Sequence, residues 1–154
     1  MKQFARIFAF AAALAVGTVL AAPGHAADNA KTHKIAIQVD QNNPALMNLV
    51  LNNVANVLAY YHSKGEQAEV EVVAYGPGLM MLRADKSPVK GRLKTIKSGA
   101  FPSKVTYSAC HNTMKGMAKK EGHEISIVPE ARVVPAGVVR LTELQEQGWS
   151  YIRP

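Results

Sequence analysis

The chain reads as a single α/β domain of the three-layer α/β/α type, on a mostly parallel five-stranded sheet. Three observations predict it. Short apolar runs of strand type alternate with amphipathic helical segments from Lys34 to Ile152, and that alternation builds a parallel sheet with helices on its faces. Glycines stand behind the helical segments, at Gly65, Gly99, Gly122 and Gly148, where a helix C-terminus favours them. No repeat, low-complexity tract or change of composition marks a second domain.

The elements follow in order. Lys34–Asp40 is a strand, with isoleucine and valine at alternate positions and Asp40 at its end. Asn43 and Pro44 then form a helix start, N-cap followed by N1. Met47, Val50, Val54, Val57, Leu58 and Tyr61 recur at helical spacing behind it. Ala68–Tyr75 is the second strand. Glu69 and Glu71 alternate with valine in its first half, which predicts one solvated face there, while Val73-Ala74-Tyr75 predicts deeper burial. Gly76-Pro77-Gly78 reads as a turn and Leu79–Leu82 as one helical turn. Ser87-Pro88 opens a helix carrying Val89, Leu93 and Ile96 and ending at Gly99. Val105–Ala109 is the third strand, followed by a helix to about Glu121. Ile125–Ala131 has no clear period. Arg132-Val133-Val134 is a short fourth strand, Gly137–Gln147 a helix with Val138, Leu141 and Leu144 inward, and Trp149–Ile152 the fifth strand. Right-handed crossovers are expected between the strands.

The N-terminus reads as a secretory signal. Lys2 and Arg6 precede an apolar run, Ile7–Leu20, and Gly24-His25-Ala26 is a small-x-small cleavage site. The run is short for a membrane span, which needs about 20 residues. The expectation is a signal peptide over 1–26 and one domain over 27–154, located in the periplasm or secreted, with no stable membrane span after cleavage. The whole chain carries a formal charge of +7; without Lys2 and Arg6, 16 basic side chains stand against 11 acidic ones, a surplus of five. With no stretch interleaving aromatic and basic side chains, nucleic acid is not an expected partner.

Cys110 is the only cysteine, so no disulfide can form within one chain. It falls where the third strand hands over to a helix, in Lys104-Val-Thr-Tyr-Ser-Ala-Cys110-His-Asn-Thr-Met. Open α/β sheets place their ligands at that edge, and free amides at a helix start favour the thiolate. Cys110 is therefore the candidate nucleophile. His111, Asn112 and Lys115 follow it and are candidate supporting residues, as are Asn42 and Asn43 at the end of the first strand. Cys110, His111, His123, Met114 and Met117 match no metal-ligand spacing, so no metal and no cofactor is expected. The basic run Arg83, Lys86, Lys90, Arg92, Lys94 and Lys97, with Asp85 its only acid, reads as a solvated helix face or as the frame of an anion site near the second strand's carboxyl end.

Three stretches together resemble the DsrE/DsrF-like family of small sulfur-relay proteins: Ile35–Tyr61, the strand and cysteine around Cys110, and the tail Val133-Val-Pro-Ala-Gly-Val-Val-Arg-Leu-Thr-Glu-Leu-Gln-Glu-Gln-Gly-Trp-Ser-Tyr-Ile-Arg-Pro154. The resemblance covers nearly all of 27–154. It implies a DsrE-like three-layer domain assembling as a homotrimer or hexamer, with a persulfide carried on a cysteine after the third strand, which is where Cys110 stands. It implies sulfur donor and acceptor proteins, or small sulfur species, as partners. The expected function is binding or relay of sulfane sulfur on Cys110, as a sulfur carrier or sulfurtransferase component. The alternatives are a non-catalytic oligomeric binding module of the same fold and a thiol-based redox or metal sensor. The family's transferring members are cytoplasmic, and here the residues after the cysteine are bulkier and more polar than theirs.

Overall fold

The computed structural model describes residues 31–154; the expected signal peptide and its cleavage site lie outside the described residues. Five strands, β1 (Thr32–Val39), β2 (Gln67–Ala74), β3 (Lys104–Cys110), β4 (Ala131–Val134) and β5 (Ser150–Ile152), alternate with four α-helices, α1 (Pro44–Ser63), α2 (Lys90–Ser98), α3 (His111–Glu121) and α4 (Gly137–Glu146). A 3-10 segment, Gly76–Leu82, follows β2. The sheet order is β4-β3-β2-β1-β5 and every pairing is parallel. The fold is thus the expected three-layer sandwich, with a wholly parallel sheet. Among the described residues, no helix is long and apolar enough to cross a membrane.

The strand order dictates the layers. From β1 to β4 each connection steps one strand in the same direction, whereas α4 carries the chain back across the sheet to β5 beside β1. Right-handed crossovers put connections of opposite direction on opposite faces. Accordingly α1, α2 and α3 cover one face and α4 alone the other.

The three-helix face is hydrocarbon. Ile35, Ile37 and Val39 of β1, Val70 and Val72 of β2, and Val105 and Tyr107 of β3 point into it and meet Met47, Val50, Leu51 and Val54 of α1 and Leu93 of α2. The period-two strand pattern and the helical spacing of α1 meet here. Asn43 caps α1 as expected: its Oδ1 accepts from the amides of Ala45 at 2.9 Å and Leu46 at 3.3 Å. Gly122, at φ +74, closes α3 in the left-handed region.

Five local expectations change, the first at Val138: expected inward on α4, it is exposed, while Leu141 and Leu144 are buried. The helical turn at Leu79–Leu82 is part of the longer 3-10 segment from Gly76. The helix expected from Ser87-Pro88 begins at Lys90, because the Ser87 hydroxyl donates to Met81 O at 2.5 Å and accepts from Val89 N at 3.3 Å, holding Ser87–Val89 in a turn. The segment without clear period, 125–131, is pinned to the 3-10 segment's end: Val128 N donates to Leu82 O, Ala84 N to Ser126 O, and Arg83 bridges Ile127. The first half of β2 is not simply solvated. Glu71 is 2% exposed and lies beneath α4, bonded to Arg132, Arg140 and Ser108.

Around Glu71 the α4 face has little hydrocarbon: Ala36, Val73, Leu141 and Leu144, with Tyr75 and Trp149 packed against them.

Candidate functional site

The carboxyl edge between β3 and β4 is where the chain changes direction: α3 leaves β3 over one face and α4 leaves β4 over the other. Divergent connections open a crevice there, the usual ligand position of doubly wound sheets. Cys110 closes β3 at this point, in register with Val134, the last residue of β4. Both helix starts therefore flank one sulfur atom.

Cys110 is also the N-cap residue of α3, with extended backbone at φ −70 and ψ 113. An N-cap side chain normally accepts from the amides of the second and third helical residues, here Asn112 and Thr113. No cap hydrogen bond of normal geometry closes the helix, so these amides act on the sulfur as oriented dipoles. From the other side comes the amide of Gly137, the first residue of α4. Neither helix carries an acidic residue in its first turn, so neither dipole is neutralised locally.

These groups set the thiol's acidity. Burial pushes its pKa up and is the largest single effect; the Thr113 hydroxyl, then the amides of Gly137, Thr113 and Asn112, oppose it and bring the thiol below its ordinary value. The Thr113 Oγ1 is itself held in place, accepting from Gly76 N at 2.9 Å. Glycine at 137 is a steric requirement: a Cβ there would stand 2.8 Å from Tyr75 Cβ, so a larger residue would lift α4 away.

The sulfur is not on an open rim. Cys110 is 5% exposed. A cleft of about 310 Å³ is lined by Arg132, Val134, Pro135, Ala136, Val139 and Arg140; Cys110 is not in its lining, though its registered neighbour Val134 is. A larger hollow of about 420 Å³ opens elsewhere, by Phe101, Lys104 and Arg132 near the amino end of β3. Its lining includes Lys97, Ser98, Ser103, Lys104 and Thr106 but no cysteine.

Of the residues singled out in the sequence, the structure joins few to Cys110. Asn112 contributes its backbone amide, which also donates to Pro135 O at 3.3 Å; its side chain is exposed, as are His111 and Lys115. Asn43 is occupied with capping α1, and Asn42 lies exposed at the end of β1, two strands from β3. His123 belongs to the far end of α3, 3.4 Å from Glu121. Most of the basic run is engaged elsewhere: Arg83 is buried against Asp85 and Glu121, Arg92 bonds Asn48 and Asn52, Lys86 bonds Glu121, and Lys90 and Lys97 reach backbone carbonyls, while Lys94 is exposed. Among the described residues no three His, Cys, Asp or Glu side chains gather as a metal-holding group.

Sequence reasoning missed Thr113 and Gly137. Thr113 had a signal, the three-residue step from N-cap to N3 where a capping partner stands. Gly137 had none, because its partner is set by the crossing of α4.

No family model matches the chain, and neither does any curated protein. Among solved structures it is similar to a protein of unknown function, MTH1491, from Methanobacterium thermoautotrophicum. The two share 28% sequence identity and superpose with a TM-score of 0.66, over 79% of this chain and 99% of the other. The likeness supports the three-layer α/β/α architecture and assigns no activity.

Proposed function

We propose that this protein is an exported member of the DsrE/DsrF-like family, periplasmic or secreted, that binds or relays sulfane sulfur on Cys110. One observation carries the reading: the only thiol of the chain stands between two uncapped helix starts whose amides favour its anion. In the first step the Cys110 thiolate attacks the outer sulfur of a polysulfide or persulfide donor. A Cys110 Sγ–S bond forms as the donor's S–S bond breaks, and the donor thiolate leaves with the electron pair. In the second, an acceptor thiolate takes that outer sulfur and Cys110 leaves as thiolate. The same amides that hold the resting thiolate would receive it again as leaving group.

Exposed Val133, Val138 and Val139 on β4 and the start of α4 support assembly as a homotrimer or hexamer beside the site. Sedimentation analysis at micromolar concentration measures it.

Intact mass after incubation with polysulfide tests the function. The expected result is a gain of sulfur on the wild type and none on Cys110→Ser. No gain on the wild type, or the same gain on both, overturns the reading.

A second reading, a non-catalytic oligomeric binding module, is favoured by the 5% exposure of Cys110. Thiol reagents of two sizes separate them. A relay thiol reacts in the folded state with a small alkylating agent faster than with a bulky aromatic disulfide. A purely structural thiol reacts with neither until the protein unfolds.

A further inference from the structure

We propose that Glu71 is a positioning residue for Cys110: by gripping Arg140 and Arg132 it holds the start of α4 and the end of β4 in place around the sulfur. This rests on the reading of Cys110 as a reactive thiolate.

Glu71 sits in the middle of β2, 2% exposed, with both carboxylate oxygens saturated. Oε1 accepts from Ser108 Oγ at 2.7 Å, Arg140 Nε at 2.8 Å and Arg132 Nη2 at 2.9 Å. Oε2 accepts from Arg140 Nη2 at 2.8 Å and Arg132 Nη2 at 3.0 Å. Each partner lies one step from a group at the thiol. Arg140 stands one turn along α4 from Gly137. Ser108 precedes Cys110 by two residues on the same face of β3. Arg132 precedes Val134, the registered neighbour of Cys110, by two residues on β4.

Two further facts point to geometry as the reason for this cluster. A buried ion pair is weak support for stability, since hydrocarbon of equal volume serves as well. Yet here it lies on the face of the sheet with the smaller hydrocarbon cluster, under the helix that supplies an amide to the sulfur. The two-pronged contact of Arg140 also fixes direction as well as distance, which a leucine contact does not.

The test uses the single cysteine of the full chain as its own probe. Glu71→Leu with Arg140→Leu removes one negative and one positive charge together, so the net charge of the cluster is unchanged. Arg132, whose side chain is 50% exposed, is left to solvent. Glu69 and Lys104, which line the small cavity beside Glu71, remain. The thiol is titrated by its ultraviolet thiolate absorbance and by its rate of alkylation with iodoacetamide. Lost positioning raises the thiol pKa, and each unit lowers the neutral-pH thiolate fraction on the order of tenfold. A titration that is unchanged, or that moves down, overturns the proposal. If circular dichroism finds the double variant unfolded, Arg140→Lys decides: it keeps the charge and loses the fork, and an unmoved thiol pKa there overturns the clamp. A wild type that gains no sulfur from polysulfide while these variants still shift the titration removes the relay reading and leaves the clamp standing.

Discussion

The two faces of the sheet are held by different physics. Under α1, α2 and α3 the strands present valine, isoleucine and a buried tyrosine to helices that return leucine, valine and methionine. Under α4 the strands present a carboxylate and a hydroxyl, and arginines answer them. Hydrocarbon contacts are non-directional and tolerate small displacements. Bidentate guanidinium contacts fix angle and register. The directional contacts lie where position matters: the candidate nucleophile stands at the seam, with its own helix on the first face and the second helix start delivered by α4.

The comparison breaks most visibly at Glu71. Glu71→Ala leaves two guanidiniums without their shared carboxylate, and a broken buried pair costs about 3–5 kcal/mol. Urea unfolding should register it as a lowered midpoint. A variant within about 1 kcal/mol of wild type would mean the ionic face behaves like an exposed surface pair. The matched change on the hydrocarbon face, Leu93→Ala at a fully buried position, costs about 3 kcal/mol through lost burial and the cavity left behind. It should leave the Cys110 titration where it was, because Leu93 packs in the hydrocarbon cluster on the face opposite α4.

Acid sharpens the contrast. Burial pushes the Glu71 carboxyl up, but its bonds to Arg140, Ser108 and Arg132 outweigh this and hold it below its usual value. A carboxyl whose folded pKa is depressed stabilises the fold fully above its unfolded value of about 4.3, and this is lost as pH falls through the folded value. Wild type should therefore lose more stability than Glu71→Gln as pH drops below about 4.3. Parallel curves would remove Glu71 as a contributor.

Gly137→Ala isolates the seam. The added Cβ meets Tyr75 Cβ at 2.8 Å and displaces the first turn of α4, at a cost of about 1–3 kcal/mol. The alkylation rate of Cys110 should fall at neutral pH while the far-ultraviolet spectrum keeps its helical content. The smallest effect is Asn43→Ala, which loses the cap of α1 and about 1 kcal/mol, with no change in thiol reactivity.

The hydrocarbon face was legible from the chain alone. Period-two runs and the spacing of Met47, Val50 and Val54 are local signals, and so is the place of Cys110 between a strand and a helix. The ionic face was not. Glu71, two residues after another glutamate, carries the pattern of a solvated strand, and only partners 37, 61 and 69 residues away convert it into a buried group. Gly137 was hidden for the same reason. His111 was attractive because it follows Cys110 in sequence, but adjacent helix positions point apart; Lys115 was attractive as a charge, but it is exposed, and the amides of the turn surround the sulfur instead.

The pairing of β1 with β5, from Ile35 with Ser150 to Ile37 with Ile152, joins strands from opposite ends of the described chain. Such distant pairing is slow to form, since a long loop must close first. The tail strand thus ties the chain end that follows α4 to the strand that opens the described fold, two strands away from the one that carries Cys110.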